Sequence, residues 1–336
     1  MDARERLLRI LADRPADRPA VLCPGGMMSL AVTEVMAASG AAWPAAHCDE
    51  QAMLRLALAM QEAAGFDNLA LPFCMTVEAE AYGAAVDMGD ALTQPKVKGA
   101  LLPPDGSGKL PRPDFERGRA AVVLRAMSAA RSLRPDLPIV GNLVGPLSLL
   151  GMLADPLRML RWTRRAPDAL RRHLESLSSA LVMFGRLQMA AGADAICIAE
   201  PTATGEILGA TQFRSFALPY LNQVAAALRE AGLPAVVHIC GDVGAVRREL
   251  DALAADAVSF DSMVDIVALS RERPRWRVMG NVSAFLLEAG PPEAVRQRCR
   301  LLLEGGVKLL APACGVIPTT PVGHLRAMRE SVSCDG

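Results

Sequence analysis

The feature that constrains the fold most is a repeated order, in which a short β-favouring run is followed by a longer stretch with helical periodicity. The runs are AVLC (20–23), NLALPF (68–73), PIVGNLVG (138–145), DAICIA (194–199), AVVHIC (235–240), AVSFD (257–261), RVMGN (277–281) and KLLAPA (308–313). Helical periodicity falls over 49–65, 114–133, 166–191, 212–231, 244–254 and 292–305. Eight runs in this alternation predict an α/β fold of the (β/α)8 TIM-barrel type, rather than a doubly wound sheet, and a single barrel domain over 1–336. The opening MDARERLLRILADRPADRP is charged and amphipathic, lacks the apolar stretch of a signal peptide, and reads as an N-terminal helical extension. The Pro/Gly-rich loop at 92–113 is too long for a connector; a lid or hairpin over the barrel mouth and a plain surface excursion both fit it.

A barrel places its chemistry where strands end and the following loops begin. Several runs end on, or just before, capable residues: Cys23, Cys74, Glu200, Cys240, Asp261 and Cys314. Within AVVHIC, His238 and Cys240 stand two positions apart, so a strand projects both to one side. Cys314 ends the last run, and barrel closure would bring it to the same rim. One imidazole and two thiolates suit Zn²⁺, and three protein ligands leave a fourth position open, as catalytic zinc sites do. The spacing alone also allows a buried histidine beside two core thiols.

Composition excludes several classes. The 36 basic and 36 acidic residues balance to zero net charge, which argues against general affinity for nucleic acid or an anionic membrane surface. No apolar run is long enough to span a bilayer, so a cytoplasmic location is expected. The eight cysteines lack the dense spacing of a disulfide scaffold and are expected to be core thiols or metal ligands.

The segments VVHICGDV and LLAPACGVIPTTPVGHLRAM, which carry His238, Cys240 and Cys314, resemble the zinc motif of the methylcobamide:coenzyme M methyltransferases, within the uroporphyrinogen decarboxylase superfamily. RPAVLCPGGMMSLAVTEVM, GFDNLALPFCMTVEAEAYGAAVDMG, EPTATGEILG and VSFDSMVDI resemble the same family in the same order, over nearly the whole chain. The resemblance implies a uroporphyrinogen decarboxylase-like barrel with one zinc at its mouth. It also implies methyl transfer from a methylcorrinoid, carried on a corrinoid protein, to a small thiol acceptor such as coenzyme M through a zinc-bound thiolate.

Around that centre, Glu78, Glu200 and Asp261 are candidate pocket or supporting carboxylates, with Asp242 a further candidate beside the ligands. Gly25 and Gly26, in CPGGMM, offer backbone amides to an anionic tail or simply make a tight turn, and Cys74 is a further substrate-binding candidate. The basic run RWTRRAPDALRRH (161–173) could dock an acidic corrinoid protein or be a solvated helix face. His47 and His324 show no ligand pattern, and His173 is expected at the surface. Rival readings are transfer to a pterin such as tetrahydrofolate, sequestration of the ligand without turnover, and uroporphyrinogen decarboxylation. The last is disfavoured because residues 19–54 contain no lysine or arginine to meet a polycarboxylate.

Overall fold

The computed structural model describes residues 1–332. Its ten strands are β1 (Ala20–Val21), β2 (Leu69–Ala70), β3 (Ala85–Asp87), β4 (Lys96–Lys98), β5 (Ile139–Val144), β6 (Ala195–Ala199), β7 (Ala235–Ile239), β8 (Ala257–Phe260), β9 (Arg277–Met279) and β10 (Leu309–Leu310). All eight runs expected from the sequence are present as parallel strands, in the order β1-β10-β9-β8-β7-β6-β5-β2. Every residue of β5, β6, β7 and β8 is buried, as strands covered on both faces require. The eight parallel strands and the helices between them form a (β/α)8 barrel.

The ladder runs unbroken from β1 round to β2, and side chains close the remaining seam. Asp67 N–H donates to the Val21 carbonyl at 2.8 Å, while its carboxylate accepts from Val21 N–H at 2.8 Å. One residue on, the Asn68 amide both accepts from Cys23 N–H (2.9 Å) and donates to the Cys23 carbonyl (2.8 Å). Asn68 thereby stands in for a strand partner. The helix Ala3–Leu11 forms as expected, and it is tied to this seam because Arg6 and Arg18 both reach the buried Asp67 carboxylate.

Register fixes what stands beside what. β7 pairs with β8 so that His238 lies opposite Ser259, and with β6 so that His238 lies opposite Ala199. Those two pairings set the surroundings of the histidine before any loop is considered.

Three local expectations need correction. The 92–113 excursion is in part a hairpin, but its strands are β3 and β4, paired antiparallel with Asp87 opposite Lys96, so it begins earlier than the proline and glycine content suggests. The stretch beyond it is pinned by Trp162, which donates to the Pro104 carbonyl at 2.9 Å, and by His173, whose Nε2 lies 3.0 Å from the Gly106 carbonyl. His173 is therefore buried rather than at the surface: Gly106, at φ +76°, brings the backbone against the Trp162 ring and covers the imidazole. Finally, 244–254 holds only two short 3-10 turns, Gly244–Val246 and Glu249–Ala252. A helix at Gly205–Gln212 packs into that space, so closely that a Cβ on Gly205 would lie 3.1 Å from Ala245 Cβ. No helix among the described residues is long and apolar enough to cross a membrane.

Candidate metal centre

β7 carries His238 and delivers Cys240 immediately beyond its end, and the loop after β10 delivers Cys314. The two sulfurs lie 3.5 Å apart, and one donor atom from each of the three residues lies within 4.8 Å of the others. Around a tetrahedral ion with metal–sulfur bonds of about 2.3 Å, two sulfurs sit roughly 3.8 Å apart, so the thiols already stand at ligand separation. His238 is fully buried, whereas Cys240 and Cys314 are half-buried at the rim.

The histidine shows the same fit. Its Nδ1 lies 3.0 Å from Ser259 Oγ, and its Nε2 is buried with no hydrogen-bond partner. An unsatisfied buried nitrogen costs about 1–3 kcal/mol, and donation from Nδ1–H to Ser259 leaves an Nε2 lone pair for an ion to take up. Ser259 was not among the residues singled out from sequence, although a polar residue inside the apolar run AVSFD was the available signal.

The thiols divide their protons unequally. The Cys240 thiol, as hydrogen-bond donor, holds the Cys314 thiol below its ordinary value in spite of its burial. Cys240 is pushed up, first by that shared hydrogen bond, then by burial and by the charges of Cys314 and Asp261. The pair gives up one proton readily and keeps the second.

Asp261 touches this pair. Its Oδ2 lies 3.4 Å from Cys240 Sγ and accepts from Gly241 N–H at 3.3 Å. Burial pushes this carboxyl up, but the Gly241 amide and the Cys240 thiol hold it below the usual range. Its loop is fixed from below by Asn281, whose amide donates to the Asp261 and Val264 carbonyls at 2.8 Å each and accepts from Arg298 at 2.9 Å. Asn281 and Arg298 carry no sequence motif; only the packing of β9 and its neighbouring helix brings them here.

The other candidates lie at different places. Glu200 is buried with its carboxylate on the first turn of the helix Pro146–Ala154, accepting from Leu147 N–H (2.9 Å), Ser148 N–H (2.8 Å) and the Ser148 hydroxyl. Glu78 accepts from Val144 N–H at 2.8 Å and lines a small cavity with Cys74, Gly26 and Asn142. Burial pushes both carboxyls up to about 7. Cys74 Sγ accepts from Arg119 at 3.2 Å, and Arg119 also pairs with Glu80, a buried cation that sequence reasoning missed. Gly26 is held at φ +59° with its would-be Cβ 2.7 Å from Asn142 Oδ1, and its N–H donates to the Pro72 carbonyl at 2.7 Å. Gly25, at φ +96°, is pressed against Leu71 and Pro72. Asp242 accepts from Gly244 N–H within its own loop.

Beside the mouth, the β3–β4 hairpin roofs a cavity of about 600 Å³ lined by Met75, Thr76, Gln94, Lys96 and Arg158, among others. A Cβ placed on Gly315 would lie 3.9 Å from Gln94 Nε2, so the hairpin reaches the residue next to Cys314.

Comparison with known proteins decides the relationship. The uroporphyrinogen decarboxylase (URO-D) family model matches residues 2–333. The chain belongs to the uroporphyrinogen decarboxylase family. Within it, the chain is 31% identical over 330 residues to the methylcobamide:CoM methyltransferase MtaA of Methanosarcina barkeri, covering 97% of this chain and 96% of the relative. It is 32% identical over 333 residues to the methylcobamide:CoM methyltransferase MtbA of Methanosarcina acetivorans, with the same coverage. A solved methyltransferase structure from Methanosarcina mazei superposes with a TM-score of 0.92 at 32% identity, over 98% of both chains. The chain therefore sits with the methyltransferases of its family.

Proposed function

We propose that this chain transfers a methyl group from a methylated corrinoid, presented by a corrinoid protein, to a small thiol of the coenzyme M type, with zinc held by His238, Cys240 and Cys314. The observation that carries the reading is the convergence of three soft donors within 4.8 Å of one another at the barrel mouth, one of them a buried nitrogen with no other partner. The likeness to methylcobamide:CoM methyltransferases over 97% of the chain supports the donor and acceptor classes. Zinc held by these three residues would lower the pKa of an acceptor thiol and fix its sulfur, while the two cysteine ligands would preserve its nucleophilicity.

The chain's own residues do the rest. Ser259 fixes the ring of His238, and Asp261 holds Cys240 and the Gly241 turn, so the donor set is aligned before a substrate arrives. The half-buried sulfurs face the rim, where a corrinoid on another protein can approach. Lys96 and Arg158 under the hairpin supply countercharge for an acidic tail on the thiol, with Gln94 linking that cavity to the Cys314 loop. The tail is assigned there rather than to Gly25–Gly26 because the Gly26 amide already donates to Pro72. Glu78 and Cys74 bound the small cavity at the mouth, while Glu200 supports the site by anchoring the helix that comes after β5.

Metal analysis and turnover of free methylcobalamin with thiols test the reading together. Wild type is expected to hold about one zinc and to demethylate the cobalt, and Cys240→Ala and Cys314→Ala each to lose most of both. Unchanged zinc and unchanged turnover in the two variants would overturn the assignment. A zinc-loaded wild type that never demethylates the cobalt with any acceptor would favour sequestration.

A further inference from the structure

At the opposite end of the barrel, the N-terminal ends of β9 and β10 border a second cavity, of about 250 Å³. Its lining includes Arg14, Arg271, Arg277 and Lys308, against the single carboxylate of Asp13. The chain as a whole is neutral, so this concentration of one sign is local. Arginines just outside the cavity are matched: Arg273 pairs with Asp251 at 2.5 Å, Arg229 with Asp256 at 3.0 Å, and Arg247 with Glu272. Those lining it are matched far less. Among the described residues Arg14, Arg271 and Lys308 make no ion pair, and Arg277 meets only Asp13, at 3.6 Å. The Arg277 Nε–H is, in addition, buried without a hydrogen-bond partner.

Helix ends explain part of this charge. The helices Ala3–Leu11, Ile266–Glu272 and Pro292–Glu304 all finish beside the cavity, and basic side chains are favourable at such ends. Each end carries a partial charge of roughly −0.5, so three of them offset only about half of the net charge of the lining. They also leave the Arg277 Nε–H unsatisfied, because the backbone bond from this residue runs from Nη1 to the Asp256 carbonyl at 3.4 Å. Trp276 adds an aromatic wall, held from one side by the Arg273 guanidinium 5.1 Å from its ring centroid.

We infer that this cavity on the N-terminal face binds a small polyanion carrying two or more phosphate groups, at a site separate from the barrel mouth. Guanidinium groups lining a concave surface suit phosphate oxygens, and the cavity is large enough to take a short phosphate chain. The chain could come from free polyphosphate or from a nucleotide whose base rests by Trp276, and binding measurements separate the two.

The test is calorimetric titration of the full chain with inorganic tripolyphosphate at low ionic strength, with ATP and AMP as parallel arms. One site per chain is expected, weakening as salt is added, with AMP much the weakest ligand. Equal affinity for ATP and tripolyphosphate identifies the phosphate chain alone as the ligand; tighter ATP adds the base. Arg271→Ala and Lys308→Ala, both exposed and outside the core, are each expected to weaken binding roughly tenfold, while Lys308→Arg retains it. Arg164→Ala, elsewhere on the surface, should leave it unchanged. Absence of binding in wild type, or wild-type affinity in both alanine variants, would overturn the inference. Neither result depends on methyl transfer or on zinc.

Discussion

Ser259 shows how a single buried hydroxyl can govern a site it never enters. It is placed opposite His238 by the β7–β8 register and holds Nδ1, so that Nε2 faces the two thiols. Ser259→Ala should keep the barrel intact yet weaken zinc about 10–100-fold, as read by competition with a coloured chelator. Unchanged affinity would show that packing alone sets the ring. The two buried glutamates bear on pH. Their carboxyls lie near 7 in the folded chain against an ordinary 4.5, because burial disfavours the charged form. Between these values the folded state binds more protons than the unfolded one, so their contribution makes stability fall as pH rises from about 4.5 to about 7. Glu78→Gln should therefore flatten the dependence of the urea midpoint on pH over that window. A profile as steep as that of wild type would mean that Glu78 is already ionised in the fold.

The elements of the barrel differ in how they are held. Neighbouring strands from β1 round to β2 share main-chain ladders, but the closing β1–β2 seam depends heavily on Asp67 and Asn68. Asn68→Ala would strand both the N–H and the carbonyl of Cys23 in a dry interior. At about 1–3 kcal/mol for each group left unpaired, the loss should be several kcal/mol, seen as a lower denaturation midpoint. A loss below about 1 kcal/mol would mean that β1 finds other partners. The β3–β4 hairpin belongs to the same scale. Proline and glycine in 92–113 announced an excursion, but neither composition nor periodicity could show that its first strand begins at Ala85, or that Trp162 and His173 anchor the stretch around Pro104 and Gly106. Likewise the helical pattern of 244–254 gave way to short turns because another helix occupies the space.

At the scale of the whole molecule, the proposed metal centre sits on a barrel whose cohesion comes from buried aliphatic strands. Fully burying one Val, Ile or Leu side chain contributes about 1.5–3 kcal/mol, and dozens are buried here. Removing zinc should accordingly leave the helical circular dichroism of the chain and its cooperative unfolding intact, with a lower Tm that recovers as metal is restored. Collapse of the helical signal on chelation would contradict this and make the metal a folding element. The sequence by itself determined the eight strands, because strands buried on both faces must be written as short apolar runs. It also determined the His238–Cys240 pair, because side chains two apart on a strand share a side. Tertiary structure alone brought Cys314 within 3.5 Å of Cys240, set Ser259 against His238, and gathered Arg14, Arg271, Arg277 and Lys308 around one cavity. Those contacts join residues tens to hundreds of positions apart, and it is closure of the barrel and the register of its strands, which no local pattern encodes, that bring them together.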